Sequence, residues 1–128
     1  VVIAAGGGGI PVVRSADGSL RGVEAVVDKD RASALLATQL GASHLIILTA
    51  VDCVYRSFGT SDQEPLRELR LDEASRLLHA GEFPPGSMGP KIESAIAFLR
   101  AGGREVLITL PERLPEALRG DCGTRIVP

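Results

Sequence analysis

The stretch Pro84–Thr109, PPGSMGPKIESAIAFLRAGGREVLIT, combines a helix pattern with a strand pattern, and two glycines separate them. Pro90 suits the first position of a helix, where its missing N–H costs nothing. Gly102 and Gly103 provide an end signal, and REVLIT (104–109) is typical of a buried parallel strand. The stretch therefore predicts a helix followed by a buried strand, a unit of an α/β fold. The apolar residues of the predicted helix recur at helical spacing: Ile92, Ala95, Ile96 and Leu99.

Short apolar runs on either side of this unit predict further strands. VVIAA (1–5) predicts a first strand, and two extended runs within residues 10–27 flank Asp17-Gly18, a hairpin turn signal. HLIILT (44–49) is so uniformly apolar that it predicts a central strand with both faces covered. TRIVP (124–128) predicts a closing strand.

A helix is expected from about Asp30, and Gly41 is a plausible stop signal. The resulting order of strands and helices predicts an α/β fold: a three-layer α/β/α sandwich with a mostly parallel sheet and hairpin insertions. We expect a single domain over residues 1–128. The inward face of the helix is predicted to contain Ala32, Leu35, Leu36 and Leu40.

Composition excludes several classes of function. Fourteen Lys and Arg against sixteen Asp and Glu leave a net charge of −2, and three Phe and one Tyr offer few rings for base stacking, so no nucleic-acid partner is expected. No apolar run approaches the roughly 18 residues of a membrane span, which favours a soluble, cytoplasmic protein. Cys53 and Cys122 are isolated, so neither a disulfide nor a metal site is predicted. Because the chain lacks an initiator Met, we interpret it as part of a longer protein.

The glycine cluster Gly6–Gly9 follows the first predicted strand, at the sheet edge where α/β proteins bind ligands. A backbone without side chains can direct N–H groups at a phosphate. The cluster lacks the Lys-Ser/Thr of a Walker loop, and in a G-x-G-x-x-G register Pro11 takes the place of the last glycine. A phosphate loop and a tight turn are both compatible with it.

Two positions carry charges that suggest phosphate chemistry. Lys29, between Asp28 and Asp30, could reach a phosphoryl group while either aspartate orients lysines or a metal; alternatively, Asp30 caps the helix. Lys91 lies in the first turn of its predicted helix, where a cation opposes the helix dipole by roughly 0.3 to 1 kcal/mol. A bound polyphosphate explains this placement better than stability does, and a solvated surface lysine is the alternative.

The sequence resembles the carboxy-terminal half of carbamate kinases, in the amino-acid kinase family. Matching stretches span nearly all of the chain in the family's order, and PPGSMGPK is particularly specific to carbamate kinases. The pattern of the DKD stretch is shared with acetylglutamate, glutamate and uridylate kinases. The stretches are GGGGIPV, GVEAVVDKDRASALLA, LIILTAVDCVY, FGTSDQ, FPPGSMGPKIESAIAFLRAGG and GTRIV.

The resemblance implies phosphoryl transfer between ATP and carbamate, interconverting carbamoyl phosphate plus ADP with carbamate plus ATP, normally with Mg²⁺. It implies that Asp30 is the organising aspartate, that Lys91 stabilises the phosphoryl group in flight, and that Lys29 is a second phosphate-contacting lysine. Phosphate or substrate binding is assigned to Gly6, Gly7, Gly8, Gly9 and Asp28. Nucleotide binding is assigned to Thr49, Ala50, Val51, Asp52, Tyr55, Ser87, Met88, Gly89 and Pro90.

The resemblance also implies a parent enzyme of arginine metabolism that is a homodimer, and an amino-terminal half carrying most of the acid-substrate pocket. This chain would then be the nucleotide-side domain, inactive alone. Two positions depart from the family's LTDVDGVY: Ala50 replaces an aspartate, and Cys53 replaces a glycine, which would cost about 1 kcal/mol if that glycine needs positive φ. Another phosphotransferase of the family and a catalytically silent binding or structural module are the alternatives.

Overall fold

A computed structural model describes all 128 residues of the chain, Val1–Pro128. Eight short strands and four α-helices alternate along it, with one turn of 3₁₀-helix at Pro111–Arg113. The strands are β1 (Val12–Arg14), β2 (Leu20–Gly22), β3 (His44–Leu48), β4 (Val54–Arg56), β5 (Glu64–Leu66), β6 (Glu68–Arg70), β7 (Glu105–Thr109) and β8 (Thr124–Val127). The helices are α1 (Lys29–Gln39), α2 (Leu71–His79), α3 (Met88–Arg100) and α4 (Leu114–Arg119).

The main sheet has four strands in the order β3-β7-β8-β6. The β3–β7 and β6–β8 pairs are parallel, and the β7–β8 pair is antiparallel. Because successive side chains of a strand face opposite ways, Val106 and Ile108 join one apolar cluster with α1, α2 and α3, while Leu107 joins another against α4. Helices therefore cover both faces of the central strands, and the predicted α/β class with its three layers is confirmed.

Two hairpins lie outside the main sheet. β1 pairs with β2 around the predicted Asp17-Gly18 turn, where Gly18 has φ +86°. β4 pairs with β5, and this second hairpin is fixed to the sheet by Thr124. The buried Thr124 hydroxyl accepts from the Val54 N–H at 2.7 Å and donates to the Leu66 carbonyl at 2.6 Å. The hairpin insertions are thus confirmed, and both strands of the second one are bonded to Thr124 at the start of β8.

Helix α3 confirms the pattern that predicted it, with a small shift of its start. It begins at Met88 rather than Pro90, so Pro90 lies in the first turn, where N–H groups have no intrahelical acceptor. The helix ends before Gly102, which has φ +101°. Its predicted inward residues are all buried: Ile92, Ala95, Ile96 and Leu99.

Two strand predictions were wrong. Val1–Ala5 forms no strand, because no other segment of the chain hydrogen-bonds to its backbone, and Val1, Val2 and Ile3 are exposed. HLIILT was predicted as a central strand, but β3 lies at the edge of the sheet, with Ile46 and Leu48 exposed on its uncovered face. A run of apolar residues indicates a strand without indicating whether a second layer covers it.

The inward face of α1 was also predicted wrongly. Ala34 and Ala37 are buried, whereas Leu35 and Leu40 are 60% and 59% exposed. Helix α1 packs closely against α3, and small side chains permit that approach, so the leucines turn outward. The predicted stop at Gly41 is confirmed, since it has φ +64°. None of the helices is both long and apolar enough to cross a membrane.

We expect Gly103→Ala to destabilise the fold, because a Cβ at this position would lie 2.2 Å from the buried Phe98 ring. Overpacking of this kind costs about 1–3 kcal/mol in free energy of unfolding, which urea denaturation would measure. Gly22→Ala is the matched control, since a Cβ there meets no atom within 4 Å. Equal midpoints for the two variants would contradict the packing argument, and Phe98→Leu should partly rescue Gly103→Ala.

Candidate functional site

A cavity of about 410 Å³ lies at the carboxyl end of β3, between the first residues of α1 and of α3. Both helix amino termini therefore open onto one space, and each contributes the positive end of a helix dipole. No side chain caps α3, although the Gly89 N–H is bonded to the Pro84 carbonyl and Pro90 has no N–H to offer. The lining residues are Asp28, Lys29, Asp30, Thr49, Ala50, Val51, Cys53, Tyr55, Phe58, Phe83, Pro84, Gly86, Ser87, Met88, Pro90 and Lys91.

Lys91 and Asp30 form a buried ion pair at the floor of this cavity. Lys91 Nζ donates to Asp30 Oδ2 at 2.9 Å, and the two residues are 7% and 6% exposed. They are 61 residues apart in the sequence, so the pair joins the first turn of α3 to the first turn of α1. The alternative that Lys91 is a solvated surface lysine is thereby excluded.

Lys29 approaches the same carboxylate from the solvent side. Its Nζ is 3.7 Å from Asp30 Oδ2, and its side chain is 52% exposed. Lys29 and Lys91 are the only lysines in the chain. One buried carboxylate thus holds two ammonium groups beside the cavity, one fixed and one able to move.

The helix cap of α1 is Asp28, not Asp30. Asp28 Oδ1 accepts from the Arg31 N–H at 2.9 Å, a standard capping bond. Asp30 lies in the first turn of the helix, two residues after the cap, and its carboxylate is directed to the lysines instead of the backbone. The alternative role of Asp30 as helix cap was therefore wrong, and its pairing with Lys91 explains why a charged residue is buried there.

The other wall of the cavity is mostly apolar and partly aromatic. Thr49, Ala50 and Val51 follow β3, and Tyr55 lies on β4 with its ring centroid 5.9 Å from that of Phe58. The sequence had assigned no role to Phe58, Phe83, Pro84 or Gly86, although they belong to the FGTSDQ and FPPGSMGPK stretches.

Two predicted nucleotide-binding residues do not line the cavity. Asp52 is not among the lining residues, and its carboxylate accepts a hydrogen bond from the Tyr55 hydroxyl at 2.7 Å. Gly89 is buried, and its N–H donates to the Pro84 carbonyl at 2.9 Å, so it shapes the turn before α3. A Cβ on Gly89 would lie 3.1 Å from that carbonyl oxygen, which explains the need for glycine.

The glycine cluster lies next to the site without lining it. Gly6, Gly7 and Gly9 have no atom within 4 Å of a hypothetical Cβ, whereas a Cβ on Gly8 would lie 1.7 Å from the Val27 carbonyl oxygen. Gly8 therefore packs directly against the backbone of Val27, the residue before Asp28. The structure brings the cluster to the start of α1, but not into the cavity with the two lysines.

Cys53 occupies its position without the predicted strain. Positive φ among residues other than glycine is confined to Ala5 and Ser57, so Cys53 does not need the conformation that favours glycine. Its side chain is fully buried, and this burial raises the pKa of the thiol. Cys53 and Cys122 are both free, and no group of three or more His, Cys, Asp or Glu side chains is arranged to hold a metal ion.

Comparison with known proteins gives consistent matches. The family model described as "Amino acid kinase family" matches residues 1–110. A carbamate kinase of Halobacterium salinarum is 55% identical over 99% of this chain, which covers 41% of that protein. A carbamate kinase-like protein of Escherichia coli is 50% identical over 99% of the chain, which covers 40% of it. The chain thus spans about two fifths of the length of these relatives.

Solved structures agree with this result. A Giardia lamblia carbamate kinase bound to AMP-PNP superimposes with a TM-score of 0.87 and 42% identity, over 94% of this chain and 38% of that one. A protein from Aeropyrum pernix superimposes with a TM-score of 0.84 and 46% identity over 94% of this chain. From its sequence and its fold, this chain belongs to the amino acid kinase family.

Proposed function

We propose that this chain is the nucleotide-side domain of a carbamate kinase-like phosphotransferase. The observation that carries the proposal is the meeting of Lys29, Lys91 and Asp30 at one cavity under two helix amino termini. Two ammonium groups therefore face the cavity as hydrogen-bond donors, and Asp28 and Asp30 balance their charge while no ligand is bound. Together with the positive dipole ends of α1 and α3, these donors form an environment for the oxygens of a polyphosphate.

Phosphoryl transfer requires positioning and charge stabilisation rather than a protein nucleophile. Lys91 is held by Asp30 in a fixed direction, so it can contact a transferring phosphoryl group without reorganising. The more exposed Lys29 can follow the phosphates as they move. Asp30 keeps the buried charge of Lys91 compensated when no ligand is bound.

The apolar wall is proposed to bind the base and ribose of ATP or ADP. Tyr55, Phe58 and Met88 are proposed to contact that part of the nucleotide, and Ser87 and Pro90 its phosphates; all five residues line the cavity. The AMP-PNP complex of the Giardia carbamate kinase supports a nucleotide at a cavity of this fold. Gly6–Gly9 and Asp28 remain proposed phosphate or substrate contacts, since they adjoin the start of α1.

Mg²⁺ is proposed to arrive with the nucleotide. In kinases this ion is held largely by phosphate oxygens and water, with only one or two carboxylates. Asp28 is the more available carboxylate for the ion. Only one of its two oxygens caps α1, whereas Asp30 already pairs with two lysines.

The acceptor is proposed to be carbamate, with carbamoyl phosphate as the phosphorylated partner, because the relatives named above are carbamate kinases or are named for their likeness to them. We further propose that the parent is a homodimeric cytoplasmic enzyme of arginine metabolism, whose amino-terminal half supplies most of the acceptor pocket. A catalytically silent binding module is the second candidate. It is favoured by Ala50, whose methyl group lines the cavity where the family pattern has a carboxylate.

Lys29→Ala is expected to weaken binding of AMP-PNP by about tenfold without changing binding of adenosine, because only phosphate contacts are lost. Isothermal titration of the 128-residue chain with both ligands would measure this. Since the Lys29 side chain is half exposed, the unfolding midpoint of the Lys29→Ala variant should be close to that of the wild type. Arg21→Ala removes an exposed positive charge from the β1–β2 hairpin and is the control. An equal loss for both ligands would contradict the phosphate role.

In an intact parent containing this sequence, Lys91→Met is expected to reduce ATP formation from ADP and carbamoyl phosphate by about 10²–10³ in kcat. Methionine retains much of the side-chain volume but can neither stabilise phosphoryl charge nor compensate the buried Asp30. The kcat is therefore expressed per folded molecule, with the folded fraction measured by circular dichroism. The 128-residue chain alone should show no turnover, with AMP-PNP binding retained. A folded wild-type parent without this activity would favour the silent module or a kinase with another acceptor.

A further inference from the structure

Asp52 and Tyr55 form a polar contact directly behind the apolar wall of the cavity. The Tyr55 hydroxyl donates to Asp52 Oδ1 at 2.7 Å, while the tyrosine ring lines the cavity and Asp52 does not. A hydrogen bond to a carboxylate is stronger than one between neutral groups. The bond therefore uses the only polar atom of the Tyr55 side chain to fix the position of its ring.

The second oxygen of Asp52 has a partner on another element. Arg113 Nη1 lies 3.5 Å from Asp52 Oδ2, and its Nη2 lies 2.7 Å from Glu116 Oε2 on α4. The Cys122 thiol contacts the Arg113 carbonyl at 3.7 Å, which ties the 3₁₀ turn to the segment before β8. A chain of contacts thus runs from the α4 layer, through Asp52, to the cavity wall.

We propose that Asp52 is a positioning residue, which acts through Tyr55 and is anchored by Arg113 to hold the aromatic wall against the nucleotide base. Its carboxylate does not touch the ligand. The expected effect on nucleotide binding rests on the proposed function, but the contact that holds the Tyr55 ring can be tested without a ligand. It assigns Asp52 a role different from the nucleotide contact that its sequence motif suggests.

The charges around the contact agree with this geometry. The hydrogen bond from Tyr55 is the main cause that lowers the pKa of Asp52, and Arg67 and Arg113 act in the same direction. An ionised Tyr55 could no longer donate this bond and would place a second negative charge beside the Asp52 carboxylate. The bond to Asp52 is therefore the main cause that raises the pKa of Tyr55 above its ordinary value, and the contact with Cys53 is the next.

Tyr55 is the only tyrosine and the chain has no tryptophan, so ultraviolet absorbance reports on this one ring. At about pH 11, where an ordinary tyrosine is largely ionised, the wild-type chain should remain in the phenol form. Asp52→Ala should ionise there, with Asp52→Asn intermediate and the exposed Asp121→Asn unchanged. Circular dichroism would check that each variant is folded, and phenolate absorbance in the wild type would overturn the contact.

A double-mutant cycle on AMP-PNP affinity distinguishes positioning from direct contact. Tyr55→Phe and Asp52→Ala should each weaken binding by about tenfold, and the double variant should bind no more weakly than either single variant. Asp52→Asn should recover part of the affinity. Additive losses, or an Asp52→Ala variant with wild-type affinity, would overturn the proposal.

The two proposals fail in different ways. If the wild-type chain binds no nucleotide, the proposed function is contradicted, while the tyrosine titration still decides whether Asp52 fixes Tyr55. If AMP-PNP binds normally and Asp52→Ala leaves the titration unchanged, only the positioning role is lost.

Discussion

The buried ion pair between Lys91 and Asp30 is the contact on which the arrangement of the site depends. A single buried charge costs several kcal/mol, so neither residue could occupy its position without the other. The pair fixes the first turn of α3 against the first turn of α1 and thereby brings both helix amino termini to one cavity. The close packing of α1 on α3 through Ala34 and Ala37 follows from the same requirement, since bulky side chains would separate the two charges.

Sequence patterns were sufficient where burial depends on neighbours nearby in the chain. The inward face of α3 and the turn glycines at Gly18, Gly41 and Gly102 follow from local periodicity and backbone conformation. Sequence patterns failed where burial depends on partners that are distant in the chain. The apolar run of β3 could not reveal that the strand lies at an edge, and the leucines of α1 could not reveal that two alanines face α3. The DKD stretch likewise left two roles open for Asp30, a carboxylate of the phosphate site and a helix cap, and only its pairing with Lys91 distinguishes them.

At the candidate site, too, some features could be predicted from the sequence and others could not. The residues that meet at the cavity were largely identifiable, because the two lysines and the residues before α3 lie in specific motifs. The direction of each side chain was not identifiable, since Asp52 and Tyr55 belong to one motif but only Tyr55 lines the cavity. A sequence motif contains the residues that a site needs, but it does not reveal which of them contact the ligand and which support those contacts.

The proposed division of the cavity into a phosphate side and a base side has a physical consequence. The phosphate side is held by a buried ion pair within one helix layer, whereas the base side is held by the β4–β5 hairpin. That hairpin is joined to the sheet by the buried Thr124 and to the opposite helix layer by the contacts of Asp52 with Arg113. Bonds through the partly exposed Asp52 and Arg113 are weaker than a buried pair and are screened by solvent. The proposed base side is therefore the more adaptable side of the cavity. Ala50 and Cys53 line the cavity without bonding to Asp30, so the charge arrangement around Asp30 does not depend on them.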